Sequence, residues 1–118
     1  MPTSSVISIG SDGQTSGSGE SHICYAFHSV QGYSKIGSYT GNGANDGVFV
    51  YTGFRPAWVL YKKSSGTEDW FIHDNKRQGY NPDNELLFAD LANAEGTANR
   101  IDLLSNGFKA RTSDGGIN

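Results

Sequence analysis

The sequence predicts an all-β protein, an antiparallel sandwich of two sheets of the jelly-roll kind with about eight or nine short strands. A closed barrel is the weaker alternative. Two observations predict this. Glycine is high at 16 residues, proline is low at 3 and aromatics make up 12%, so glycine-rich turns punctuate many aromatic and β-branched runs. Those runs alternate in polarity with the period of a strand, and only one stretch carries helical spacing.

In chain order, residues 6–9 (Val6, Ile7, Ser8, Ile9) form a short strand candidate, followed by a Gly/Ser-rich loop over 10–21. Residues 22–30 alternate, with Ile23, Tyr25 and Phe27 opposite Cys24, Ala26 and His28. Both faces are mostly apolar, as in a central strand. Residues 33–40 alternate more weakly, and 41–47 are a dense turn signal. Val48 to Tyr51 is the clearest β run. Residues 57–63 and 69–74 flank a loop of hairpin length, with Trp58 and Leu60 opposite Val59 and Tyr61, and Trp70 and Ile72 opposite Phe71 and His73.

Residues 85–94 are ambiguous: Leu86, Leu87 and Leu91 suit a helix that Gly96 would end. The all-β surroundings favour a strand over 85–89 and then a loop. Asn106-Gly107 between the runs 101–104 and 108–111 is a hairpin signal.

A chain of 118 residues is one domain, 1–118, large enough for a core without metals or disulfides. It divides into an N-terminal strand and loop over 1–21 and a core over 22–118. The net charge of −3 argues against a nucleic-acid partner, because phosphate binding needs a basic face. A lone cysteine excludes an internal disulfide, and Cys24 is expected as a small buried residue. No apolar run approaches the ~20 residues of a membrane helix. Residues 1–5 are polar and do not form a signal peptide, so neither membrane insertion nor signal-dependent export is expected.

No catalytic constellation emerges. His22 and His28 sit six residues apart on one strand candidate, about 20 Å by strand rise, too far to share a proton or a metal. Asp12, Asp46 and Asp114 lie in Gly/Asn/Ser loops, where turn chemistry explains them; none fits a calcium loop. The glycines at 41, 43 and 47 have neither the spacing nor the helix of a dinucleotide fingerprint. No enzyme activity, cofactor or metal is expected. Aromatics are the better candidates for binding. The default reading places Trp58 and Trp70 across a hairpin in the sandwich core. The alternative is an exposed platform of Trp70, Tyr80, Trp58 and His73 on which sugar rings stack.

Three phrases carry a resemblance. They are Gly-Tyr-Ser-Lys-Ile-Gly-Ser-Tyr-Thr-Gly-Asn-Gly at 32–43, Gly-Val-Phe-Val-Tyr-Thr-Gly-Phe-Arg-Pro-Ala-Trp-Val-Leu at 47–60, and Leu-Ser-Asn-Gly-Phe-Lys at 104–109. From about Ile9 onward the chain resembles a repeat domain of structural proteins of marine bacteriophages, tail-fibre-like and other virion proteins, also common in ocean environmental sequences. The resemblance implies a concanavalin-like or jelly-roll sandwich, a virion location, and other virion proteins or surface glycans as partners.

A non-enzymatic structural or adhesion module acting by multivalent contact is therefore expected. A stand-alone lectin-like carbohydrate-binding domain is the alternative. The turn 112–118 repeats the wording of 10–15, and the strand-like run that follows the first has no counterpart after Asn118. The chain thus reads as one phase-shifted repeat unit with an open sheet edge. Residues 22–28 are expected to close that edge within the chain, in the sheet that holds the 108–111 strand. Exchange between chains, giving a homo-oligomer, is the other arrangement.

Overall fold

The computed structural model describes residues 3, 5–77, 81 and 83–118. Its regular structure is one helical turn, α1 (Gly13–Ser16), and six strands: β1 (Phe49–Tyr51), β2 (Trp58–Tyr61), β3 (Phe71–Asp74), β4 (Asp83–Phe88), β5 (Gly96–Leu104) and β6 (Gly107–Ala110). The strands form a single curled sheet in the order β1-β6-β5-β4-β3-β2, antiparallel throughout. The all-β antiparallel expectation is met. The count differs: six strands in one sheet among the described residues, where eight or nine in two sheets were expected. Residues 6–9, 22–28 and 33–40 join no strand ladder.

The expected closure by residues 22–28 does not occur. Residues 22–28 join no ladder of the sheet that holds 108–111, and the two flanks of β6 itself are taken by β1 and β5. Ile23, Tyr25 and Phe27 stand 83%, 80% and 75% exposed, and Cys24, expected to be buried, is exposed as well.

Local chemistry explains the strands that do form. The ambiguous segment is a strand, since Leu86 and Phe88 alternate with Glu85 and Leu87 and pair on both sides. The β4–β5 register shifts between Asp83 and Glu85, a bulge that precedes the β4 residues paired with β3. Just before this bulge, the Asn81 side-chain amide donates to the Leu103 carbonyl (3.1 Å) and accepts from its N–H (2.7 Å). It satisfies Leu103 in place of a strand neighbour.

The β5–β6 hairpin turns at Ser105-Asn106, one residue earlier than Asn106-Gly107 suggested, and Gly107 pairs with Leu104 inside the ladder. Gly107 therefore serves close approach. A Cβ there would lie 2.2 Å from the Val50 carbonyl oxygen and 2.7 Å from the Phe49 ring.

The core lies on one face of the sheet: Val59, Tyr61, Phe71, Leu86, Ile101, Leu103, Phe108, Ala110 and Ile117. Full burial of such a side chain is worth about 1.5–3 kcal/mol. His73 shares this face and is 0% exposed. Its Nε2 lies 3.2 Å from the Tyr61 hydroxyl, so a polar ring is buried with a hydrogen-bonding partner.

The 112–118 turn covers part of the core. Ile117 is buried, and its carbonyl accepts from the Tyr39 hydroxyl (2.6 Å). The Tyr39 ring meets Phe108 edge-on at 5.9 Å, and burial pushes the phenol pKa up to about 12. Asp114 pairs with Arg100 at 3.1 Å, and the Arg100 guanidinium lies 4.5 Å over the Phe71 ring. Gly41 passes so close to the turn that a Cβ there would lie 2.2 Å from the Asn118 carbonyl carbon.

Candidate functional site

The sheet face opposite the core is where the tryptophans lie. Side chains alternate along a strand and cross-strand partners share a face. Val59 and His73 are paired on the core side, as are Tyr61 and Phe71, so Trp58, Leu60 and Ile72 project from the outer side. Leu87, paired with Ile72, joins them. Trp70 continues the row: its carbonyl accepts from the Ala89 N–H (3.0 Å), extending the β3–β4 ladder by one rung. Trp58 is 52% exposed and Trp70 42%, while Leu60, Ile72 and Leu87 between them are half-buried.

The register fixes the spacing. Trp58 faces Asp74, and Leu60 faces Ile72. Extending that register by one rung on the same face sets Trp70 opposite Lys62, so the two indoles are separated by four residues along the sheet, about 13 Å by strand rise. The result is an apolar strip with an indole at each end.

Polar groups border it. At the Trp58 end, Asp74 is held by the Arg77 guanidinium at 2.9 Å, and Arg77 also pairs with Glu95. Burial pushes the Asp74 carboxyl up, but the N–H groups of Lys76 and Arg77 together with the guanidinium outweigh it and hold the carboxyl below its usual range. It stays an anion that accepts hydrogen bonds. At the other end, the Asp90 carboxylate accepts the Trp70 backbone N–H at 3.0 Å and fixes the residue that carries the indole.

Of the four residues expected to form a platform, Trp58 and Trp70 lie together on this face. His73 does not: it points into the core on the opposite face, because odd and even positions of β3 face opposite ways. Tyr80 lies outside the described residues. The default reading, with both tryptophans as core, is also corrected; the core of the β2–β3 hairpin is Val59, Tyr61, Phe71 and His73. Sequence reasoning put Leu60 and Ile72 on the tryptophan faces without counting them as part of the site, and missed Leu87. Leu87 joins them only through the β3–β4 register, which the sequence does not carry.

Elsewhere, an open cleft of about 360 Å³ lies between the 29–35 loop and residues 51–53. Its lining is mainly polar, including Ser29, Ser34, Lys35 and Thr52, with a single aromatic ring at Tyr51. Among the described residues no three His, Cys, Asp or Glu side chains gather as a metal site, and no helix is long and apolar enough to cross a membrane.

Sheet and strip define the class: an all-β domain built on one curled antiparallel sheet with an exposed aromatic outer face. The chain belongs to the family described as Domain of unknown function (DUF7483), matched over residues 1–118. No curated protein and no solved structure matches it.

Proposed function

We propose that this chain is a non-enzymatic adhesion and structural module that makes contact through its tryptophan-bearing sheet face. The observation that carries the reading is the strip from Trp58 to Trp70, with two partly exposed indoles on one face and a charged border at Asp74, Arg77 and Glu95. Indoles held on paired strands present rigid, flat, apolar surface at low entropic cost, and the border supplies hydrogen bonds. That combination suits a chain of sugar rings better than one small ligand, since the indoles stand several rings apart.

The phrases at 32–43, 47–60 and 104–109 support a bacteriophage virion, in a tail-fibre-like role, as the setting. Weak sites repeated along such a particle would gain by multivalency. A stand-alone lectin-like domain would use the same face. The two-sheet sandwich of the jelly-roll kind belongs to this proposal as the assembled form, with strand-like segments outside the sheet supplying further strands.

The test is a glycan array displaying bacterial and algal surface polysaccharides, probed with the wild-type chain and with Trp70→Ala. Loss of one stacking indole is expected to weaken binding at least tenfold while leaving the fold intact, because Trp70 lies outside the core. Binding that survives in both Trp70→Ala and Trp58→Ala moves the contact surface elsewhere. A wild-type chain that binds no glycan removes the sugar and leaves assembly as the role.

A further inference from the structure

The sequence Ser-Asp-Gly occurs at 11–13 and again at 113–115, and the two turns around it have the same structure. In the first, the Asp12 carboxylate accepts the Gln14 N–H (2.8 Å), and the Asp12 carbonyl accepts the N–H groups of Thr15 (3.0 Å) and Ser16 (2.8 Å). In the second, the Asp114 carboxylate accepts the Gly116 N–H (2.8 Å), and its carbonyl accepts from Ile117 (3.1 Å) and Asn118 (2.8 Å). A further bond also matches. The Ser16 hydroxyl donates to the Gly10 carbonyl (2.6 Å), and the Asn118 amide donates to the Thr112 carbonyl (2.9 Å). The two segments are one element present twice.

Their surroundings differ. The second turn is seated: Asp114 on Arg100, Ile117 buried under Tyr39, and Asn118 bonded to the Asn42 N–H and the Ala44 carbonyl. The first turn buries no residue of its helix. The strand-like run beyond it, 22–28, exposes apolar side chains and joins no ladder. The chain is correspondingly extended: its radius of gyration is 16.1 Å, against about 13.5 Å for a compact domain of this length.

Asn118 lies beside Gly47, whose N–H already bonds to the Ala110 carbonyl as the rung leading into β1. Among the described residues β1 is an edge strand paired with β6 alone, and it carries Phe49 and Tyr51, 45% and 65% exposed.

We propose that residues 22–28 add as a strand to the free flank of β1 in a second copy of this chain. The added strand satisfies the unpaired backbone groups of a short edge and sets Ile23, Tyr25 and Phe27 against a surface that carries aromatics of its own. Two copies exchanging reciprocally give a closed dimer, and head-to-tail donation gives a chain of domains. The occupant is a second copy because this chain carries both halves of the contact, an exposed apolar run that joins no ladder and an edge strand with exposed aromatics. The inference stands apart from the glycan reading, which uses the opposite end and the outer face of the sheet.

The chain carries its own probe, since Cys24 is the sole cysteine, is exposed, and sits within the donated segment. A nitroxide on Cys24 is mixed with an isotope-labelled Cys24→Ser copy that bears no label. Broadening of the labelled copy's amides over 48–53, rising with concentration, is the expected result. Broadening centred on residues 58–61 of β2, or none at millimolar concentration, overturns the proposal. Tyr25→Asp with Phe27→Asp changes only exposed side chains, so folding is not at stake. This variant should lose the broadening and run at half or less of the wild-type mass in light scattering. Association that persists unchanged in it also overturns the proposal.

Discussion

Phe71→Ala is expected to cost about 3–5 kcal/mol, a large part of the ~5–15 kcal/mol that holds a domain of this kind together. Phe71 is the junction between the sheet and the seated C-terminal turn. Its ring stacks on Tyr61 with centroids 5.4 Å apart, meets Phe88 at 5.5 Å and lies under the Arg100 guanidinium. A Cβ on Gly116 would come within 3.3 Å of it, so the turn rests on this ring as well. Removing it leaves a cavity in the core and takes away the surface that positions Arg100 for Asp114.

Urea denaturation of Phe71→Ala, Arg100→Ala and the double variant measures this. The two costs should not add, because both changes undo the same contact. Additive costs would separate the turn from the core. Phe71→Leu keeps most of the volume and should lose less than about 1.5 kcal/mol.

Gly107→Ala is expected to cost about 1–3 kcal/mol, by overpacking rather than by a cavity. A single methyl group there meets the Val50 carbonyl, which is backbone and cannot rotate away. β1 must shift or detach, and being a three-residue edge strand it detaches at low cost. Hydrogen exchange reads this locally. The amides of Thr52 and Gly53, bonded to the Asn106 carbonyl, and of Gly47 and Ala110, on the β1–β6 side, should lose protection. Those of the β3–β4 ladder should keep it. Uniform loss over the sheet would mean that β1 unfolds only with the rest.

Much of the sheet was legible in the sequence. Alternation placed β1, β2, β3 and β6 close to where they lie, and the all-β context decided β4 correctly against its helical leucine spacing. Alternation also sorted the β2–β3 hairpin into its two true faces. It could not say which face is the core. Tryptophan is the larger apolar residue, and histidine is an unusual core residue unless a partner satisfies it. Tyr61 is that partner, twelve positions away, and only the register of the folded hairpin brings the two together.

Residues 22–28 show the converse limit. Ile23, Tyr25 and Phe27 alternate as in a good strand, yet alternation states only that a segment could pair. Which flank is open depends on topology: β1 holds the place beside β6, and the open edge is the other flank of β1. The Asn106-Gly107 signal found the right hairpin and misplaced its turn by one residue, because the glycine is required by the close approach of β1 on the other flank of β6. Of the site, the two indoles were legible and the aliphatic strip between them was not, since single leucines and isoleucines in strands read as core.

The account rests on the sidedness of the sheet: tryptophans outward, Tyr61 and His73 inward. The chain has only two tryptophans, so its indole fluorescence reports on that face alone. Acrylamide quenching on the Tyr25→Asp, Phe27→Asp variant removes any contribution from association. Emission red-shifted from that of a core indole, with both half-exposed indoles open to the quencher and then protected when a polysaccharide is added, is the predicted result. Blue-shifted emission resistant to quenching in the unbound chain would place the tryptophans in the core and contradict the account.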